Sequence, residues 1–330
     1  MRKVGSLLTA ILFLGLIVEI VIFSPKDTGT PSDQPKDRSE AVNGQDGGQW
    51  IEGVHLIETS EGKKEWELRA DRAMSAIGSD KKQTNWELKK VNAKFFSQTD
   101  DGMFFTVTGD EGRVVTETRD MYVHGNVFVR SSNGYEFKTQ SVNYDSKTKS
   151  LKTNDPVQMF SVGDSDGGAM DLTGVGLHAS LEDHTMDVLQ DVKLNRELKD
   201  GRKVVVRSEK ARFYSKNKSA DFSGRVIVDL GASRITGPFA KFQYDSEKKA
   251  LSSMEVEGGV NLTDADKWAT AKKVKMSFLK DQFVLTGSPR LVQDSEELVG
   301  DEIIFSDGGK KVEVNRGRAK FDSDVKETIK

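Results

Sequence analysis

The 330 residues carry 49 Lys and Arg against 52 Asp and Glu, a net charge of −3, so the strong basic excess of a nucleic-acid-binding protein is missing. There is no cysteine, which excludes disulfides, thiolate metal sites, iron–sulfur clusters, thiol nucleophiles and a lipidated cysteine. Thirty glycines and only six prolines suit a protein of strands and turns, held together by sheet pairing and core burial alone.

Arg2 and Lys3 precede an apolar run, Val4 to Phe23, broken only by Glu19 and small residues. Twenty helical residues span roughly 30 Å, the hydrocarbon thickness of a bilayer. A cleaved signal peptide has a shorter apolar region, about 7 to 15 residues, and ends at a small-x-small site. Val21-Ile22-Phe23-Ser24-Pro25 is a poor cleavage site, so residues 1–23 read as an uncleaved anchor. The two basic residues put the N-terminus in the cytoplasm and the rest outside. Residues 24–49 are Pro, Gly, Ser, Asp and Lys with almost nothing apolar, a flexible linker.

From Trp50 onward the pattern alternates with a period of two, the mark of half-buried antiparallel strands. Val54 and Leu56 alternate with His55 and Ile57 in the first strand, a candidate free edge. Residues 70–74 (ADRAM) have the composition of one helical turn. Val127 and Val129 face inward, as do Tyr144, Val157 and Met159. Asp100-Asp101-Gly102 and Ser131-Ser132-Asn133-Gly134 are hairpin turns. Residues 195–203 are polar and charged, a domain boundary or a long turn. In the stretch 224–262 the spacing predicts short strands separated at Gly231, Gly237-Pro238 and Gly258-Gly259. Val274, Met276 and Phe278 then alternate with Lys273, Lys275 and Ser277.

The unit recurs. Val91, Val127, Val157, Val192, Val226, Val260, Arg290 and Arg318 recur at intervals of 28 to 36 residues, and all but Val91 follow a Gly, Asp or Pro punctuator within two positions. Such a period points to stacked supersecondary units, and the alternation excludes the helical repeats of similar length. One apolar face per strand implies a continuous apolar interior. That interior is either ordinary core, or two splayed sheets holding a ligand's hydrocarbon.

Chemistry is scarce. His55, His124, His178 and His184 show no metal-ligand spacing, and no phosphate-binding loop or nucleophile elbow is present. No cofactor, metal or catalytic residue is assigned. Arg202, Lys203, Arg207, Lys210 and Arg212 form either an outward sheet face or a contact for anionic head groups. Three readings follow: a lipid conduit, a membrane-tethered β-solenoid scaffold or adhesin with a dry core, and an anchored polysaccharide-active enzyme needing converged carboxylates.

The stretches GVHLIET (53–59), EWELRADRA (65–73), GDEGRVV (109–115), MYVHGNVFVRSSNGYEFKTQSVNYD (121–145) and LKTNDPVQM (151–159) resemble the LptC family of lipopolysaccharide export. SEKARFYSKNKSADFSGRVIVD (208–229), ITGPFAKFQYD (235–245), MEVEGGVNLTD (254–264) and FVLTGSPRLVQDSEELVGDEIIF (283–305) are similar to the LptA/OstA-like domain of the same pathway. The resemblance implies an all-β fold, an open twisted β-jellyroll of two facing antiparallel sheets, as one body or two tandem modules, after one N-terminal transmembrane helix. It divides the chain into an anchor (1–23), a linker (24–49), an LptC-like jellyroll (50–197), an LptA/OstA-like jellyroll (198–322) and a polar tail (323–330).

It further implies an inner-membrane-anchored periplasmic bridge. The partners are lipopolysaccharide, an inner-membrane ABC transporter complex that supplies the ATP-driven extraction, and periplasmic or outer-membrane proteins of the same fold. The candidate groove residues are Val127, Val129, Tyr144, Val157, Met159, Val192, Val226, Val228, Phe242, Tyr244, Val260, Leu262, Met276 and Phe278. Val54 and Leu56 mark one partner edge, and Val312, Val314, Ala319 and Phe321 the other, because an unpaired edge strand invites strand addition. About 24 strands in two sheets would make a groove of roughly 60 Å. On this reading Val228→Asp or Phe242→Asp blocks lipid passage, and Lys275→Asp is tolerated.

Overall fold

The computed structural model describes residues 50–77, 84–97, 102–132, 134–161, 169–198, 201–245, 247, 250–294, 296–306 and 311–320. The expected membrane span, the linker, the polar tail and Phe321 lie outside them. Gly48–Lys330 forms a single unit.

All regular structure among the described residues is β. The strands are β1 (Trp50–Ser60), β2 (Lys63–Ile77), β3 (Thr84–Phe96), β4 (Phe104–Val115), β5 (Met121–Ser131), β6 (Tyr135–Asp145) and β7 (Ser150–Ser161). They continue as β8 (Met170–Ser180), β9 (Thr185–Glu197), β10 (Lys203–Ser208), β11 (Lys210–Tyr214), β12 (Ser219–Leu230), β13 (Ser233–Asp245) and β14 (Ala250–Asp264). The last are β15 (Lys267–Ser277), β16 (Gln282–Thr286), β17 (Arg290–Gln293), β18 (Glu296–Val299), β19 (Glu302–Ser306), β20 (Lys311–Asn315) and β21 (Arg318–Lys320).

These 21 strands hydrogen-bond into one sheet. Each pairs antiparallel with its sequence neighbour from β1 to β9. There β10 and β11 lie end to end against both β9 and β12, and the meander continues to β15. Beyond it, β16–β17, β18–β19 and β20–β21 are again single rungs, each interrupted once. Four rungs are thus split in two, and 21 strands make 17 rungs. At about 4.8 Å between rungs the ladder is about 80 Å long, longer than the roughly 60 Å expected from strands divided between two sheets.

Five of the unsplit strands carry a bend of their own. Lys90 on β3, Asn126 on β5, Asp191 on β9, Arg225 on β12 and Gly259 on β14 have positive φ at mid-strand. On β5, β12 and β14 the preceding glycine does too, and the pairing register slips across the pair. An extra residue in left-handed conformation makes a bulge that bends the strand. Val91, Val127, Val192, Val226 and Val260 each stand immediately after such a bend. The sequence period is therefore the distance between bends on every second strand.

This corrects several expectations. Gly237-Pro238 and Gly258-Gly259 do not separate short strands; they lie inside β13 and β14. Residues 70–74 are strand, inside β2. Residues 195–203 hold no long loop: β9 runs to Glu197, β10 starts at Lys203, and between them Leu198 N–H donates to the Arg202 carbonyl at 2.8 Å. Phe278 leaves the strand and sits in the turn after β15.

The aligned bends divide the sheet into two walls. Wall one ends in the turns at 131–135, 197–203 and 264–267; wall two ends in those at 115–121, 180–185 and 214–219. The walls face each other. Phe95 (β3, wall one) and Tyr144 (β6, wall two) have ring centroids 4.3 Å apart. The Tyr144 hydroxyl donates to Glu65 Oε1 on β2 at 3.1 Å. In a flat ladder β2 and β6 are four rungs apart, about 19 Å, so only a folded-over sheet brings them together. The two facing sheets expected from the sequence are two halves of one.

Inward residues of both walls merge into one core. Leu68, Val107, Met159, Val206, Val228, Ile235 and Met276 are all without solvent exposure. Close rung crossing requires glycine at Gly174 on β8. A Cβ there would lie 2.4 Å from Val188 Cγ1 and 3.0 Å from the Gln190 carbonyl oxygen. Gly174→Ala is expected to lower stability by about 1–3 kcal/mol through overpacking, measured as a fall in the urea unfolding midpoint.

Candidate functional site

The walls do not close evenly. Between wall one of β4–β10 and wall two of β8–β14 lies a cavity of about 760 Å³, within the roughly 300–1,000 Å³ typical of small-molecule sites. Its lining is mainly apolar. Phe105, Phe137, Leu194 and Val206 come from wall one; Phe213, Phe222 and Phe242 come from wall two. Phe222 stands edge-on to Phe242 (centroids 5.4 Å, 79°) and to Phe213 (6.1 Å, 80°). Such edge-to-face contacts hold the rings as a stiff aromatic floor.

The cavity is bounded along the seam by contacts between the walls. Toward β1, Glu65 is 1% exposed and takes the Tyr144 hydroxyl and the Lys149 ammonium. Burial, then the Glu65 charge, holds the Tyr144 hydroxyl far above the ordinary tyrosine range. Arg119 reaches across to Glu58 at 3.1 Å. Toward the other end, Arg202 Nη1 meets Asp281 Oδ1 at 2.7 Å, joining the turn after β9 to the turn after β15. Between β4 and β8 the seam holds a second void of about 20 Å³, lined by Val129, Phe137, Val142 and Val157 among others, room for about one water.

The 14 candidate groove residues separate on this geometry. Phe242 and Tyr244 line the large cavity. Val129 and Val157 line the small void. Val127, Tyr144, Met159, Val192, Val226, Val228, Val260, Leu262 and Met276 are buried in the packed core, and Phe278 packs against it. Sequence reasoning did not select Phe105, Phe137, Phe213 or Phe222, although each is an inward aromatic in an alternating strand. It also passed over Arg196, placed in a polar run, which lines the cavity with its guanidinium carbon 5.7 Å from the Tyr244 ring centroid.

β1 lies at one end of the ladder and β20 and β21 at the other. Among the described residues β1 pairs only with β2, and Val54 and Leu56 are half-buried against the core. Ile51 and Ile57, on the same strand, are 47% and 50% exposed. At the far end, among the described residues, β20 pairs only with β19 and β21 only with β18; Val312 and Val314 lie on β20, and Ala319 on β21 pairs with Leu298. The outer faces are charged. Arg212 grips Asp187 with two hydrogen bonds of 2.5 and 2.9 Å. On β2 the Glu67 carboxyl is held down to about 2, first by the Lys64 hydrogen bond and then by His55. Of the basic run, Arg202, Arg207 and Arg212 each hold an aspartate.

Residues 9–197 match the family model described as lipopolysaccharide-assembly, LptC-related. Residues 205–308 match the model of the LptA/(LptD N-terminal domain) LPS transport protein. No curated protein sequence matches the chain. Among solved structures the chain is similar to LptH, described as the LptA homologous periplasmic component of the conserved lipopolysaccharide transport device from Pseudomonas aeruginosa. The identity is 17% and the TM-score 0.32, over 34% of this chain and 82% of that one. The first model match spans more than half of the sequence: the protein belongs to the LptC-related lipopolysaccharide-assembly family and carries an LptA/LptD N-terminal-type domain behind its LptC portion.

Proposed function

We propose that this protein is an inner-membrane-anchored periplasmic bridge. It accepts lipopolysaccharide from an ATP-driven extractor and passes the acyl chains along the seam between the walls toward the outer membrane. Residues 1–23 cross the inner membrane with the N-terminus in the cytoplasm, and 24–49 are the linker; the LptC match begins at residue 9, inside that apolar run. The folded body is an open β-jellyroll, with 50–197 and 198–322 as its LptC-like and LptA-like portions and 323–330 as a tail. No bond is made or broken by the chain.

One observation carries the reading: the aromatic cavity draws its lining from both matched segments, Phe105 and Phe137 from the first and Phe213, Phe222 and Phe242 from the second. The sheet is continuous through β9, β10 and β11. A chain lying in the cavity is therefore held by both portions at once, and each buried methylene contributes about 0.8 kcal/mol. The exposed isoleucines on β1 support strand addition by a partner at that edge. β20 and β21 offer the same to a bridge protein of similar fold.

The test is a photo-crosslinking amino acid at Phe242 in living cells, with Lys241 as control. Phe242 lines the cavity and Lys241 is exposed on the outer face. A lipopolysaccharide adduct at Phe242 alone is the expected result. No adduct at either position in a folded, anchored protein would overturn the conduit reading in favour of a tethered scaffold.

A further inference from the structure

The cavity lining is mainly apolar, but it also holds hydroxyls, His184, the Arg130–Glu136 pair and two further cations, Arg196 and Lys218. Arg196 stands half-buried on β9 in wall one, over the Tyr244 ring of wall two. Its Nε is enclosed and has no hydrogen-bond partner, and no carboxylate pairs with its guanidinium among the described residues. By contrast, Arg130, Arg202, Arg212, Arg234 and Arg290 each hold an acid. Next to Tyr244 is a second cation. Tyr244 N–H donates to the Lys218 carbonyl at 2.9 Å, which fixes Lys218, in the turn before β12, at the lip of the same cavity. Lys218 is exposed and likewise has no acidic partner among the described residues. The cavity lining contains one carboxylate, Glu136, and Arg130 already holds it at 2.9 Å.

A half-buried guanidinium without a counter-ion loses hydration, and here the Tyr244 ring returns only part of it. Its planar donors suit a bidentate oxyanion. Two cations lining one cavity suit a group of nearly two negative charges, and a phosphomonoester carries about −1.5 to −2 at neutral pH. The aromatic floor of Phe222 and Phe242 continues directly from Tyr244, so the charged end and the apolar end of one ligand are both accommodated.

We propose that Arg196, over the Tyr244 ring, and Lys218, whose carbonyl Tyr244 holds, form an anion subsite in the cavity that takes the phosphate head of an amphiphile whose chains lie on the aromatic floor. The inference rests on the conduit reading and adds a fixed register for the cargo: the head is held where the two portions meet.

The test uses the full chain in an amphipathic polymer. It is titrated with a fluorescent lysophosphatidate and with the matching uncharged monoacylglycerol, both below their micelle concentrations, with inorganic phosphate as competitor. The wild type is expected to bind the phosphate-bearing probe at least tenfold more tightly. Arg196→Gln with Lys218→Gln is expected to lower that affinity tenfold or more, and the monoacylglycerol affinity less than threefold. Arg196→Lys recovers part of the loss, and Lys218→Gln alone, in an exposed turn where folding is not at risk, loses part of it. A preference that survives the double substitution overturns the subsite while leaving the conduit intact. Displacement of the probe by inorganic phosphate at equal concentration also overturns it, in favour of a free-anion site. Failure of both amphiphiles to bind the wild type overturns the conduit and the subsite together.

Discussion

Val228→Asp is expected to remove the fold and not merely the cargo. Val228 has no solvent exposure; it lies in wall one on β12, between Val206 on β10 and Ile235 on β13, which are equally buried. It does not line the cavity. A carboxyl placed there meets no donor and no water, and has to neutralise and lose its hydration together. Uncompensated burial of this kind, added to the lost packing of the valine, costs about 4 kcal/mol or more. That is a large share of the roughly 5–15 kcal/mol by which a domain is stable. The expected result is protein that is degraded or that unfolds at a much lower urea concentration. Val228→Ala should cost only about 2 kcal/mol. A Val228→Asp protein with an unchanged urea midpoint would show that water reaches this position, which would move Val228 from core to groove. The sequence pattern treats Val228 and Phe242 alike, as inward residues of alternating strands, and their expected consequences are different.

That difference shows what the sequence encodes legibly. Alternation depends only on which way successive Cβ atoms point, and it marks the strands and their charged outer faces. The punctuators are more ambiguous. Gly237-Pro238 and Gly258-Gly259 carry the same local signal as a hairpin turn, because a turn and a bulge both need residues that tolerate positive φ or lack an N–H. What separates them is pairing across the sheet. Ser233 to Asp245 stays hydrogen-bonded to β12 and β14 on both sides of its break. The long-range contacts form the hairpins at polar runs such as 214–219 and leave the glycines as bends. The 28-to-36-residue period was read correctly as a repeat, but its physical meaning, bend to bend on alternate strands, needs the ladder.

The cavity was not legible for a related reason. Its position depends on which rung of wall one faces which rung of wall two. Phe95 meets Tyr144 three rungs on, and Arg196 meets Tyr244 across a similar offset. That offset arises from the accumulated twist of the sheet, which no local window contains. Glu65 illustrates the same limit. Its neighbours in sequence are Lys63, Lys64 and Trp66, and nothing nearby announces that Tyr144 and Lys149 will enclose it 79 and 84 positions later. Arg196 was hidden by its setting among Asn195, Glu197 and Lys199, where a charged residue reads as solvated surface.

Phe242→Asp tests the cavity with the fold largely intact. The side chain is 7% exposed and its ring forms one wall of an open space, so a carboxylate there is hydrated by cavity water in place of being stranded. The loss of the edge contact with Phe222 at 5.4 Å and of the ring's burial should cost about 2–3 kcal/mol, less than at Val228. The effect on cargo is larger than the effect on stability. A chain crossing the aromatic floor would have to displace the water from the new carboxylate or lift away from the floor. Losing the burial of three or four methylenes removes about 3 kcal/mol, which is on the order of a 100-fold loss in affinity. Phe242→Ala leaves the floor apolar and should lose less than tenfold. Lys275→Asp, on the exposed outer face of β15, should change neither stability nor capture by more than twofold. The measurement is lipopolysaccharide recovered with the purified full chain, alongside its unfolding midpoint. If the Phe242→Asp protein folds and still recovers wild-type amounts of lipid, the acyl chains do not run across this floor, and the cavity is a defect of packing between two walls that serve only to brace the bridge.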